Sequence, residues 1–351
     1  MPKISFANAI NSAISRAMNK DKKMICYGLG VTDPKNIFGT TKGLEKKFGR
    51  ERVFDVPTSE NALTGISVGL ALNGVRSVVS HQRLDFFLLA FDQLINSAAK
   101  WYYMFGSKKS VPITIRLIIG RGWGQGPTHS QSLQSVFAHI PGLKVVIPSN
   151  PQNAYDLLLA SIFDPNPVVF LEHRWLHNLK ANVSQKKIIK LEGSNILKRG
   201  KHLTIITMSF AVFDVLDIAQ RMSKENIHIE VIDLSVIKPI FWKNIIKSVK
   251  KTGRMMLIDT GAYTGSVSSE IISEICIKHH SILKAAPVKI AMPDFPEPTS
   301  YALTKNFYFD KFKIIKSIKK ILKINKKLKI EIEIKKPDHH DTPGKWFTGP
   351  F

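Results

Sequence analysis

The chain has 351 residues, of which 44% are hydrophobic, and it carries a formal net charge of +24 and only two cysteines. No apolar run approaches the ~18 residues that a membrane span requires, and two cysteines provide neither a disulfide framework nor a cysteine metal site. The N-terminal segment has the spacing of an amphipathic helix rather than the apolar block of a signal peptide, so we expect a cytoplasmic protein.

The basic excess could in principle neutralise nucleic-acid phosphates or a membrane surface. Many of the lysines lie between positions 305 and 336, among isoleucines, where a solvated basic face is the simpler interpretation. We therefore expect neither a nucleic-acid nor a membrane partner, although such a surface could attract an anionic substrate or an acidic subunit.

The first part of the chain alternates predicted helices and strands. Apolar residues from Phe6 to Ala17 recur every three or four positions and predict a helix, and a strand follows at Met24–Gly28. Further strands are predicted at Arg76–Ser80, Pro112–Ile119, Leu143–Ile147 and Pro167–Leu171, with helices at Phe86–Phe105 and Asn153–Phe163. This alternation indicates βαβ units and a mostly parallel sheet covered by helices.

A polar stretch at positions 176–191 is predicted to be a linker, after which the alternation resumes. Strands are predicted at Leu203–Met208, His228–Asp233, Arg254–Asp259 and Val288–Ala291, and helices at Val212–Ser223, Phe241–Lys250 and Ser266–Lys278. We therefore predict an α/β protein of two domains, 1–175 and 192–325, each a mostly parallel sheet covered by helices. A basic tail, 326–351, follows a last amphipathic helix.

Three segments carry candidate chemistry: VPTSENALTGISVGLALNG, QRLDFFLLAFDQLINSAAKWYYMFG and GRGWGQGPTHSQ. Each has a plain alternative. Glu60 could simply stabilise the first turn of a helix, and His129 could be a structural residue at a helix start. The glycine-rich loop matches neither a dinucleotide fingerprint nor a Walker loop, but loops beyond the carboxyl ends of parallel strands are where such sheets bind ligands.

Taken together, the segments resemble the pyrimidine-binding domain of transketolase-type thiamine-diphosphate enzymes, and most closely the β subunits of 2-oxo-acid dehydrogenases. The resemblance extends through TKGLEKKFG, AHIPGLKVV and NPVVFLE into a second domain carrying IEVIDLSVIKPI, VKKTGRMMLIDTG and APVKIAMPDFPEP. It covers nearly the whole chain and fades near Asn325. Several long blocks in the right order are more specific than any one short motif.

The resemblance implies roles for particular residues. Glu60 matches the carboxyl group that bonds the aminopyrimidine ring of thiamine diphosphate and activates it, and Phe86 matches the aromatic side chain that stacks on that ring. His129 matches a histidine at the substrate end of the channel. Four further residues match a structural potassium site, although their DPNP segment could equally be a plain turn: Ile113, Ser161, Asp164 and Asn166.

Thiamine enzymes of this kind hold the diphosphate through Mg²⁺ with a GDG motif, and the chain contains no GDG sequence. The resemblance therefore implies an α-type partner that carries this motif and the Mg²⁺, in an α₂β₂ assembly with a ββ contact. A lipoyl acyltransferase is a further possible partner. The expected activity is that of a pyruvate dehydrogenase-like 2-oxo-acid dehydrogenase or decarboxylase.

The chain also departs from the β-subunit pattern, because Leu29 and Gly30 stand where relatives usually carry an acidic pair. The basic or bulky residues His81, Arg83, Arg121 and Trp123 could reshape the substrate channel or pair with a more anionic substrate, and surface roles are an equal alternative. Two other interpretations remain open: the C-terminal half of a split transketolase, and a non-catalytic β-like scaffold subunit that kept the fold and lost the chemistry.

Overall fold

The computed structural model describes residues 3–185, 190–334 and 341–344. It divides into two compact units, the described parts of Met1–Gly120 with Val136–Glu192 and of Arg121–Ser135 with Gly193–Gly349. Within the described residues, no helix combines the length and the apolar character needed to cross a membrane.

The first part of the chain contains eight strands and seven α-helices. The strands are β1 (Lys3–Ser5), β2 (Ile25–Gly28), β3 (Val53–Asp55), β4 (Ser77–His81), β5 (Ile113–Ile119), β6 (Lys144–Val146), β7 (Val168–His173) and β8 (Lys180–Asn182). The helices are α1 (Phe6–Lys20), α2 (Leu44–Phe48), α3 (Glu60–Leu72), α4 (Leu84–Phe87), α5 (Trp101–Met104), α6 (Gln134–His139) and α7 (Pro151–Phe163).

Six of these strands lie in the order β6-β7-β5-β4-β2-β3, and every neighbouring pair among them is parallel. All residues of β4, β5 and β7 are buried, as expected for a parallel sheet covered on both faces. Helix α1 begins where the Ser5 hydroxyl accepts the Asn8 amide at 3.1 Å, and its apolar stripe packs against α7.

The second unit is also an α/β layer. Its strands are β9 (Asn195–Lys198), β10 (Leu203–Thr207), β11 (Ile229–Asp233), β12 (Val236–Lys238), β13 (Met255–Ala262) and β14 (Val288–Met292). Its helices are α8 (Ala211–Ser223), α9 (Trp242–Thr252), α10 (Val267–Lys278), α11 (Tyr301–Phe307), α12 (Lys311–Leu322) and α13 (Lys329–Glu333). The sheet order is β14-β13-β10-β11-β9, parallel except for the edge strand β9. The predicted fold class is confirmed.

One predicted helix is interrupted. The sequence predicts a continuous helix over Phe86–Phe105, whereas the structure has α4, a short 3₁₀ segment at Leu88–Ala90, a π-helical segment at Gln93–Ala98 and then α5. Apolar spacing does not distinguish these helix types, because three, four and five residue steps keep neighbouring side chains on nearly the same face. The predicted domain boundaries stay a prediction.

A buried ion pair crosses the centre of the first sheet. Arg116 on β5 donates to both carboxylate oxygens of Glu172 on β7, at 2.6 and 3.0 Å. The same guanidinium donates to the hydroxyls of Ser80 and Thr40 at 3.1 and 3.0 Å. Burial alone would raise the pKa of Glu172, but Arg116 and the neighbouring His177 hold that pKa below its usual value.

Replacing Arg116 by Met should destabilise the protein by about 3–5 kcal/mol, because it leaves the Glu172 charge buried without its main partner. Urea unfolding followed by circular dichroism measures the loss. The double variant Arg116→Met/Glu172→Leu should lose distinctly less of the free energy of unfolding, since it removes both charges. Equal losses in the single and double variants would contradict this view of the pair.

Candidate active site

A cavity of about 610 Å³ lies in the first unit, next to the carboxyl ends of β2, β3 and β4. Its walls include Glu60 and Phe86, two of the predicted site residues, together with His81, Arg83 and Asp55. The carboxyl edge of a parallel sheet is the usual place for a ligand site, because the connecting loops converge there. The resemblance implied that Glu60 and Phe86 share one site, whereas nothing in the local sequence showed that Asp55 lies in the same cavity.

Glu60 is the first residue of α3 and is only 5% exposed. The partial positive charge of the helix N-terminus favours a carboxylate there. Its main-chain oxygen accepts the Thr64 hydroxyl at 3.0 Å, while no donor within the described residues is bonded to its carboxylate. A buried carboxyl group that faces a cavity in this way is available to a ligand with a hydrogen-bond donor.

Phe86 lies on α4 and is 42% exposed, although it lines the cavity. An aromatic ring with one accessible side is suited to stack on a planar heterocycle, which gives on the order of 1 kcal/mol beyond area burial. A flat ring that donates to Glu60 and stacks on Phe86 fits the cavity's chemistry. The residues present are therefore compatible with the aminopyrimidine end of thiamine diphosphate.

The loop after β2 forms another wall of the cavity, and Asp55 holds it in place. The Asp55 carboxylate accepts the Val31 amide at 2.6 Å and the amide and hydroxyl of Thr32 at 3.3 and 3.1 Å. Gly30 has a φ of +80°, which favours glycine, and a Cβ there would lie 2.0 Å from the Gln82 side chain. The segment that lacks the acidic pair is thus a tight, ordered turn.

His81 ends β4 and is almost fully buried beside the cavity, where its ring meets the edge of Phe87 at 4.9 Å. Neither ring nitrogen has a hydrogen-bond partner among the described residues. Burial lowers the pKa of His81 to about 4, so the imidazole is neutral at physiological pH. It adds polarity but no charge to this wall. The sequence pointed to His81 only through its departure from the family pattern, and gave no signal for Asp55.

His129 belongs to the other unit and is not among the residues that line this cavity. Its ring nitrogen Nδ1 lies 3.0 Å from the Thr128 hydroxyl, and its amide donates to the Gly126 carbonyl at 3.3 Å. It therefore sits in a turn at the end of the glycine-rich loop. Its catalytic role stays a prediction.

The four predicted potassium ligands are in the first unit: Ile113, Ser161, Asp164 and Asn166. The Asp164 carboxylate is already engaged, since Oδ2 accepts from Lys144 at 2.5 Å and Oδ1 accepts the Asn166 amide at 2.9 Å. The Arg76 guanidinium donates to the Asp164 carbonyl at 3.2 Å. Because each Asp164 carboxylate oxygen already accepts one hydrogen bond, that carboxylate has less capacity left for a cation than an unbonded one would have. No cluster of three or more His, Cys, Asp or Glu ligands occurs within the described ranges.

Comparisons with known proteins identify the family of the chain. Residues 2–179 match the family model of the transketolase pyrimidine binding domain, and residues 193–314 match that of the transketolase C-terminal domain. The chain is 35% identical to the β subunit of acetoin:2,6-dichlorophenolindophenol oxidoreductase from Cupriavidus necator, over 86% of this chain and 92% of the relative.

Two further relatives are similar over most of their length. Identity to the 2-oxoisovalerate dehydrogenase subunit beta of Bacillus subtilis is 36%, covering 88% of this chain and 95% of the relative. Identity to the pyruvate dehydrogenase E1 component subunit beta of Porphyra purpurea is 34%, covering 93% and 99%. Among solved structures, a split-gene transketolase described as an inactive beta4 tetramer superposes with a TM-score of 0.73 at 18% identity, over 92% of this chain and 99% of that one. At that identity the likeness establishes the fold alone.

Asp55→Ala should loosen the loop wall and lower the free energy of unfolding by about 1–2 kcal/mol, because the amides of Val31 and Thr32 lose a charged acceptor. Urea unfolding gives the loss, and limited proteolysis reports the loop. Asp55→Asn keeps one acceptor oxygen, so its free energy of unfolding should lie between those of the wild type and Asp55→Ala. An unchanged cleavage rate in the alanine variant would contradict the assignment.

Proposed function

This chain belongs to the family of β subunits of 2-oxo-acid dehydrogenases, built from transketolase pyrimidine-binding and C-terminal domains, and we propose that it is such a subunit of a thiamine-diphosphate enzyme. Its substrates would be 2-oxo acids, which lose CO₂ before the remaining acyl or aldehyde unit is passed on. The observation that carries the proposal is the single cavity that contains both Glu60 and Phe86.

In this proposal Glu60 binds the aminopyrimidine ring through a hydrogen bond at its ring nitrogen. A carboxyl group in a partly desolvated cavity would make that bond stronger than it would be in water, so Glu60 would hold the ring and share a proton with its nitrogen. Phe86 packs against the ring face and fixes its plane. When bound, thiamine diphosphate supplies the electron sink for decarboxylation. The turn around Gly30, held by Asp55, excludes water from one side of the ring.

The catalytic role proposed for His129 follows from the resemblance and from its loop. A neutral or protonated imidazole can bond the carboxylate of a 2-oxo acid or move a proton at the substrate end of a channel. His129 follows the glycine-rich loop in the sequence, and its amide donates to the Gly126 carbonyl in the turn that ends the loop. Replacing His129 and Glu60 one at a time, and measuring the activity of each variant, separates the contributions of the two residues.

We propose that a separate α-type chain with a GDG motif completes the site and holds Mg²⁺, within an α₂β₂ assembly that includes a ββ contact. The chain has no such motif of its own. Large apolar side chains that are exposed in the first unit support a subunit contact, because an isolated protein gains nothing from exposing them together: Tyr102, Tyr103, Met104 and Phe105. A lipoyl acyltransferase would be the acceptor partner of a dehydrogenase of this kind.

The cysteines support the proposed cytoplasmic location. Neither Cys26 nor Cys276 forms a disulfide. Cys26 is buried in β2, and burial raises the pKa of its thiol to about 12, so the thiol is protonated and unreactive. Free, protonated thiols of this kind are compatible with a reducing compartment such as the cytoplasm.

Two other functions were considered from the sequence, a split transketolase half and a non-catalytic scaffold. The relatives at 34–36% identity carry dehydrogenase or oxidoreductase names, whereas the transketolase structure is 18% identical. A scaffold needs no buried carboxyl group with an open hydrogen-bonding face, and keeping one in a cavity costs folding free energy. The dehydrogenase-like function is therefore favoured.

Glu60→Gln should reduce thiamine-dependent CO₂ release by at least about 100-fold, since the amide cannot supply a carboxyl proton to the ring. The assay co-expresses the chain with a GDG-containing partner and offers a panel of 2-oxo acids. Glu51→Gln, at an exposed glutamate of the same unit, is the matched control and should keep full activity. Ketol transfer without CO₂ would indicate the transketolase alternative, and cofactor uptake without either reaction the scaffold.

A potassium ion near the C-terminal end of α7 remains part of the proposal, because the last carbonyls of a helix attract a cation. If it binds, replacing choline chloride by an equal concentration of KCl should raise the thermal midpoint by about 2–5 °C. Differential scanning calorimetry measures the shift. The three salts have the same ionic strength, and NaCl shows whether the effect is specific for potassium. Identical midpoints in all three salts would remove the site.

A further inference from the structure

The glycine-rich loop after β5 is bonded to a residue from near the end of the chain. The Gly124 amide donates to Oδ2 of Asp341 at 3.0 Å, across 217 sequence positions. Asp341 is only 2% exposed. A carboxylate acceptor makes this bond stronger than a bond between neutral groups. The family match to the C-terminal domain ends at residue 314, so Asp341 lies outside the part of the chain that the family model covers.

Arg121, in the same loop, packs against other parts of the second unit. Its guanidinium carbon lies 3.6 Å from the ring centre of Tyr308 and 5.4 Å from that of Phe210, so it is packed between aromatic side chains. Burial lowers the pKa of Arg121 to about 10, and the nearby Tyr308, Asp341 and Asp214 oppose that fall. A buried cation needs negative charge close by, and Asp341 supplies part of it.

The loop contains two positions that suit only glycine. Gly124 and Gly126 have φ values of +65° and +69°, where other residues are strained. A Cβ at Gly124 would lie 2.9 Å from the Thr299 carbonyl oxygen, and one at Gly126 would lie 2.3 Å from the Thr299 hydroxyl. Glycine has the largest conformational freedom to lose, so these positions make the loop costly to order. Turns inside the loop, such as the Gln125 amide bonded to the Gly122 carbonyl at 3.3 Å, supply part of its order, and the contact with Asp341 adds to it.

We propose that Asp341 is a positioning residue, which holds the glycine-rich loop, and with it His129, in one conformation. The carboxylate acts twice, as the acceptor for the Gly124 amide and as a counter-charge near Arg121. Asp341 thus acts as a clamp on the loop. The consequence for catalysis rests on the function proposed above, because it requires His129 to act on substrate. The effect of Asp341 on the order of the loop does not depend on the proposed function.

Hydrogen exchange read by mass spectrometry on the full-length chain tests the clamp directly. In Asp341→Ala, peptides covering residues 121–126 should exchange on the order of tenfold faster, because one charge-assisted hydrogen bond and a counter-charge are lost. Asp341→Asn keeps an acceptor oxygen without the charge and should be intermediate. Glu333→Ala removes an acidic residue of the same C-terminal segment that pairs with Arg221 at the surface, and it should leave loop exchange unchanged.

The same variants are then assayed with the α partner. Faster exchange confined to the loop, with a several-fold lower kcat and a KM changed little, supports both the clamp and the role of His129. If the wild-type protein with its partner releases no CO₂ in a thiamine-dependent reaction, faster loop exchange in the variant still supports the clamp, while the proposed function is contradicted. Unchanged loop exchange in Asp341→Ala overturns the clamp whatever the activity. So does an acceleration spread evenly through the second unit, since that would make Asp341 a general stability residue.

Discussion

The ion pair between Arg116 and Glu172 organises the first unit, because Arg116 ties β5 and β7 to β4 and to the loop after β2, and the end of β4 and that loop both line the cavity. Two charges buried together are stable only when every donor and acceptor is satisfied, and Arg116 meets this demand through Ser80 on β4 and Thr40 in the loop after β2. Strand spacing and loop position are fixed as a result. Glu60 and Phe86 can then face one cavity from separate helices.

Much of the fold could be predicted from the sequence, because apolar periodicity reflects burial directly. Strands β5 and β10 match their predictions to within one residue, and helix α1 begins at the predicted residue, Phe6. Strand β3, with three residues, is too short to produce a pattern, and the helical segments between Leu84 and Met104 share one apolar face despite their different hydrogen bonding. The resemblance identified Glu60 and Phe86 through their motifs. Only coordinates could bring Asp55 to Val31 or Asp341 to Gly124, since neither contact leaves a trace in local sequence.

The cavity lining contains three carboxyl groups, and they differ in how far they are engaged. Asp55 accepts the amide of Val31 and the amide and hydroxyl of Thr32, and Asp33 accepts from the Gln82 side chain at 3.4 Å. His81 contributes a neutral imidazole because burial lowers its pKa. The Glu60 carboxylate has no hydrogen-bond donor among the described residues, so it is the carboxyl group of the lining most open to a ligand.

The separation of Gly124 and Asp341 along the chain has a consequence for biosynthesis. A ribosome makes the protein from its N-terminus, so the loop after β5 leaves the ribosome more than two hundred residues before its acceptor exists. The six strands from β2 to β7 are complete by His173, so they can pair during translation. The bond from the Gly124 amide can form only once Asp341 has been synthesised, and a chain that stopped before Asp341 would have these six strands and a loop without that acceptor.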